Sequence, residues 1–221
     1  MATEPRKRQK QLTKKKVKRK TIVSAQKMVD KLGRLFSKVA FEKAPIYECL
    51  APSGLFELGI GTVIIARKML GGNLGIGFFM LDVFCLGVKN AFFVELTRQE
   101  YRQKLRELGE HESMQTISPA CARKLIEGCA AYATNWGFSP NPDYKKAKKV
   151  FGEIKADECI EDFEFGKDGK PLYVSGPFDT PEKSRKILKQ LDKICGQGEF
   201  HYAVGVESFD DDEEKETEFK A

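Results

Sequence analysis

Asp82 is the first side chain in this sequence that asks for a chemical explanation. It lies in LGIGFFMLDVFCLGV, residues 74–88, where every other position is apolar or glycine. In an extended strand Phe78, Met80, Phe84 and Leu86 share its face, while Phe79, Leu81, Val83 and Cys85 share the other. An ionised carboxylate between two apolar faces carries a large desolvation cost unless it is paired, hydrogen-bonded or bound to metal. Two readings meet that requirement. In one, Asp82 joins Glu48 from a neighbouring strand and Asp143 around a divalent ion, as strand-borne carboxylates do in many nucleases. In the other it caps a bulge or pairs with Arg67 or Lys89.

The second chemical signal is charge. Residues 1–20, MATEPRKRQKQLTKKKVKRK, carry ten cations (Arg6, Lys7, Arg8, Lys10, Lys14, Lys15, Lys16, Lys18, Arg19 and Lys20) against Glu4, a net +9. Residues 207–221 carry −6, so of the overall +6 only +3 belongs to residues 21–206. Such an arm suits the phosphate backbone of RNA or DNA without sequence readout, each contact adding about −0.7 to −0.9 to the slope of log K against log salt. No aromatic residue interrupts it, so base stacking by the arm is not expected. It also has the composition of a nuclear address, for an organism with a nucleus.

Other chemistry is limited by scarcity. His111 and His201 are the only histidines, too few for a His-based metal centre. Cys195 with His201 would make a nucleophile pair, although a cysteine closing an apolar helix is ordinarily core. Cys49, Cys85, Cys121, Cys129, Cys159 and Cys195 stand singly, with no CxxC among them. They read as buried thiols of a reducing compartment. Gly72, Gly75 and Gly77 lead into a strand, whereas phosphate loops lead into a helix. Residues 175–180 precede a helix and suit either an anion or ordinary capping.

The elements that must position these groups follow from pattern. Residues 1–20 cannot bury enough surface to order themselves, and the acidic tail after 206 should likewise be solvated. Ala25, Met28, Val29, Leu32, Leu35, Phe36 and Val39 give an amphipathic helix that Pro45 stops. Strands are expected at 46–50 and 62–70, and Gly71-Gly72-Asn73 supplies a tight hairpin. The apolar run to Leu96 exceeds a single strand, which requires a bulge or break near Asp82 or Gly87. Thr97 and Glu100 form a capping box for a short helix. Residues 110–117 read as a polar loop. Ser118-Pro119 opens a helix whose stripe runs from Ala122 to Trp136, and Gly137 ends it. Asn141-Pro142 starts a short helix with Tyr144, Ala147, Val150 and Phe151 inward. Residues 163–165 and 172–174 flank Lys167-Asp168-Gly169-Lys170 as a hairpin. Thr180-Pro181 opens a last helix with Ile187, Leu188, Leu191 and Ile194 inward, and 200–206 reads as a closing strand.

Without regular βα alternation, this order predicts an α+β fold with a largely antiparallel sheet covered by amphipathic helices. The expected organisation is a basic tail 1–20, one domain over 21–206 with a subdivision point near 110–118, and an acidic tail 207–221.

Two blocks of residues resemble an uncharacterised bacterial protein family. The first is Tyr47-Glu48-Cys49-Leu50, Ala66-Arg67, Gly77-Phe78 through Asp82, and Cys85-Leu86-Gly87-Val88-Lys89. The second is Gly137-Phe138, Pro140, Pro142-Asp143-Tyr144 and Phe165-Gly166 through Pro171. The resemblance spans 46–206 and carries no activity with it; it implies that these residues form one unit.

These features lead to an expectation of a non-enzymatic, cytoplasmic protein that binds RNA or a ribonucleoprotein through its basic arm, with no cofactor. Two alternatives stand beside it: a divalent-metal-dependent hydrolase centred on Asp82, and a structural adaptor whose charged tails recruit partners. No stretch is both long and apolar enough for a membrane span.

Overall fold

A computed structural model describes residues 43–69, 71–110, 113–176, 179–196 and 198–203. The expected helix before Pro45, both charged tails and His111 lie outside them. Four strands form an antiparallel meander: β1 Ile46–Pro52, β2 Ile60–Lys68, β3 Leu74–Asp82 and β4 Gly87–Leu96. A fifth strand, β5 Met114–Thr116, pairs antiparallel with β1, giving the order β4-β3-β2-β1-β5. With its helices, this is the expected α+β architecture.

β2 and β3 are apolar without alternation because both faces of the sheet are covered. Val63, Ile65, Phe79 and Leu81 face one core, and Ile64, Ile76, Phe78 and Val94 face the other. The first core is closed by α3 (Pro119–Asn135), which contributes Leu125, Ile126 and Cys129, and by α4 (Tyr144–Ala147) with the 3-10 turn Lys148–Phe151. Tyr101 of α2 (Arg98–Gly109) lies in the second core. The predicted capping box at Thr97 and Glu100 is present, as is the Ser118 cap of α3. A four-residue helix, α1 Leu55–Leu58, occupies part of the loop after β1.

Gly71 and Gly72 (φ 89° and 88°) make the β2–β3 turn. The long apolar run breaks after Asp82, with a register shift at Met80/Leu81 and a turn over 83–86. Gly87 resumes the chain at φ 70° directly beneath α3, where a Cβ would lie 2.5 Å from the Ala133 Cβ. The positive φ and the close packing of the helix both call for glycine there.

Several expectations need correction. Residues 110–117 are not wholly loop, since β5 lies within them. Residues 163–165 form no strand, and Lys167–Lys170 closes as an isolated bridge only. β6 (Leu172–Val174) instead pairs in parallel with β7 (His201–Ala203) across α5 (Pro181–Cys195), building a small βαβ unit on Tyr173, Ile187 and Leu191. Ile194 does not face inward but is 42% exposed. Cys121 and Cys159 form a disulfide rather than two free thiols, while Cys49, Cys85 and Cys129 are buried and free, and Cys195 is half-buried and free. The spacing of 38 residues gave no local signature for that pair; the fold brings it together by laying residues 152–168 back across the start of α3.

Candidate functional site

Asp82 closes β3 and caps the turn that follows it. Its Oδ1 accepts the Cys85 amide at 2.9 Å, and the neighbouring Phe84 and Leu86 amides also favour its charged form. Burial pushes its carboxyl above the usual range, against the pull of Lys89 and those amides. Arg67 is not its partner. Arg67 lies at the far end of β2, where it donates to the Val150 and Phe151 carbonyls at 2.6 Å and to the Ala44 carbonyl.

The strand register separates the proposed carboxylates. Glu48 lies opposite Ala66 and Asp82 opposite Ile60, so six β2 residues, about 20 Å, divide them along the sheet. Glu48 instead neighbours Tyr101, whose phenol is pushed up by burial first and by Glu48 next. Asp143 is exposed and pairs with Lys146 at 3.4 Å. Among the described residues, no group of three His, Cys, Asp or Glu side chains is placed to hold a metal ion. His201 is exposed on β7, and burial raises the Cys195 thiol, with Glu199 adding to the effect. The arm cations Arg6 to Lys20 lie outside the described residues.

Two surface features do assemble. The first is a cleft of about 640 Å³ at the β5 edge of the sheet. Leu55, Phe84 and Leu125 line its base, β5 forms one wall, and Glu161–Asp168 forms the other. Phe56, 37% exposed, stacks on Phe163 with ring centroids 5.9 Å apart. The acidic wall has little regular structure and is tied down by cross-links. These include the Cys121–Cys159 disulfide, Lys124 Nζ on the Glu161 carbonyl (2.6 Å) and Asp162 (2.9 Å), and the Gly166 amide on the Val83 carbonyl (2.9 Å).

The second is a lysine turn. In YKKAKKVF, Tyr144, Ala147, Val150 and Phe151 are buried, so Lys145, Lys146, Lys148 and Lys149 all point outward. The Lys148 ammonium lies 5.6 Å above the Tyr144 ring. Arg67 fixes the turn from beneath through its bonds to Val150 and Phe151. The inward pattern is legible in the sequence; that the four cations sit on one anchored turn depends on Arg67, which is distant in sequence and reaches it only through the fold. The cleft could not be found that way, since its two walls are about 50 residues apart and meet only through β5 and the disulfide.

No family model matches the sequence, and no curated protein and no solved structure matches the chain. No helix among the described residues is long and apolar enough to cross a membrane.

Proposed function

We propose that this chain is a non-enzymatic RNA-binding protein that engages the phosphate backbone through its basic arm, with the lysine turn as a second contact. The observation that carries this reading is the segregation of charge: +9 in twenty residues, against +3 in residues 21–206. The four lysines of 145–149 support it, because Lys145, Lys148 and Lys149 have no ion-pair partner among the described residues and the backbone beneath them is anchored. Lysine is a point-charge donor to phosphate and reads no sequence, so both contacts give affinity rather than specificity.

The test is binding of a single-stranded RNA by the full chain across a salt series. The wild type should bind tightly at low salt and release steeply as salt rises. Exchanging the ten arm cations for glutamine should abolish most of that affinity. Exchanging the four turn lysines should flatten the slope by up to about 3, four contacts at about 0.7 each. Equal retention of wild type and arm variant on RNA would sink the reading.

A further inference from the structure

We propose that the cleft beside β5 is a docking site for an extended, lysine- or arginine-bearing segment of another protein, which joins the sheet as a sixth strand. The inference stands apart from RNA binding, since an acidic wall repels phosphate.

The backbone of β5 provides the template. Ile117 donates to the Cys49 carbonyl at 3.0 Å and Ser53 to the Ser113 carbonyl at 2.8 Å, and Gln115 lies opposite Ala51. Antiparallel pairs alternate in direction, so residues 113, 115 and 117 turn their amides and carbonyls toward β1. Met114 and Thr116 therefore turn theirs outward, and those groups have no partner among the described residues. Gln115 and Thr116 are exposed, and both line the cleft. Strand addition uses such an edge for affinity and adjoining pockets for selectivity.

The chemistry of the wall selects the occupant. Glu161, Glu164 and Asp168 line the cleft without ion-pair partners among the described residues, and Asp162 is bound by Lys124. The lining cation, Lys167, is drawn over the Phe84 ring at 6.0 Å. Phe163 and Phe165 of this wall pack against the core that contains α3, which places the wall on that side of the sheet, and its carboxylates line the cleft. An added strand alternates its side chains across the sheet plane. Every second residue would thus face three unneutralised carboxylates, and the Phe56–Phe163 stack offers an apolar flank. A basic strand gains from this field, whereas an acidic one is excluded.

The experiment uses the full chain and three fluorescent peptides: alternating Lys and Val, the same peptide N-methylated at alternate residues, and alternating Glu and Val. The first should bind, the third should not, and N-methylation should weaken binding about tenfold or more by removing the pairing amides. Thr116→Pro deletes an outward N–H without touching the β1 ladder and should cost a comparable factor. The triple variant Glu161→Gln, Glu164→Gln, Asp168→Asn should do the same while leaving β5 intact. Undiminished binding of the N-methylated peptide, or wild-type affinity in both variants, would overturn the proposal. So would binding that appears only after the arm cations are exchanged for glutamine, which would assign the cleft to the chain's own leader. Loss of RNA binding in the arm variant leaves these outcomes unchanged, so the two proposals fail separately.

Discussion

The Asp82 carboxylate accepts the backbone amide of Cys85 at 2.9 Å, which makes the single acid of residues 74–88 the keystone of the turn between β3 and β4. The turn over residues 83–86 gathers the amides of Phe84, Cys85 and Leu86 near one carboxylate, which accepts that of Cys85. That bond gives the buried carboxylate a structural role in the turn.

A charge is not needed for this role, and the pH dependence should reveal it. Burial raises the folded-state pKa of Asp82 above its ordinary 3.8, so the protonated form is the one folding favours. The associated stability is present below the unfolded pKa and is lost as pH rises through the folded one. Asp82→Asn keeps an acceptor for the Cys85 amide and does not titrate. The expected result is that the stability gap between variant and wild type widens in favour of Asn as pH rises above about 4. It should grow by about 1.4 kcal/mol per pH unit until the folded pKa is passed. Asp82→Ala removes the acceptor and should be about 1–3 kcal/mol less stable than Asn. Urea titrations from pH 3.5 to 7 measure both, and an Asn variant that loses stability at neutral pH would show that the charge matters.

What the sequence disclosed follows from how local each signal is. The Gly71-Gly72 turn, the Thr97/Glu100 box and the Ser118-Pro119 cap are written within a few adjacent residues, and each forms as read. The break after Asp82 was legible because no single strand runs so far. β5 was not, because Met114-Gln115-Thr116 has too few residues to show a period and exists only through pairing with β1. The same reason defeated the hairpin around Asp168. Leu172–Val174 has strand character, but its partner is set by the α5 crossover rather than by the adjacent turn. The Asp82 site divided in the same way. The need for compensation was visible from composition, yet which groups supply it depended on register, and register placed Glu48 at the wrong end of the sheet.

The disulfide should govern the acidic wall. Residues 152–168 hold few backbone bonds of their own, and Cys159 is joined to the first turn of α3 at Cys121. Closing a loop of 38 residues removes denatured-state entropy equivalent to about 4 kcal/mol in the chain-entropy model. Cys121→Ser with Cys159→Ser should lose stability of that order. Faster amide exchange should appear at 160–168 first, with β2 and β3 still protected. Denaturing thiol titration should count four free cysteines before reduction and six after it, matching Cys49, Cys85, Cys129 and Cys195 as the free set. Six before reduction would remove the cross-link from the account.

Arg67 offers the sharpest test of how the lysine turn is held. It is 5% exposed, and its guanidinium donates to three backbone carbonyls, of Ala44, Val150 and Phe151. Burial lowers its pKa, but an arginine stays charged at any pH of interest, and charge-assisted bonds to carbonyls offset the desolvation. Arg67→Met fits the volume but leaves all three acceptors without donors in a dry site, at a cost of about 3–5 kcal/mol. Arg67→Lys supplies a point charge that cannot fork to three directions, and about half that loss is expected. The effect should also be local. Freed from Arg67, residues 148–151 should exchange their amides faster, and Lys148 and Lys149 should lose their fixed spacing. Under the RNA reading, the Lys variant should then bind RNA with a shallower salt slope while its arm is intact. A methionine variant that unfolds at the wild-type urea midpoint would show that these three bonds contribute little, and that the lysine turn is held by Val150 and Phe151 packing alone.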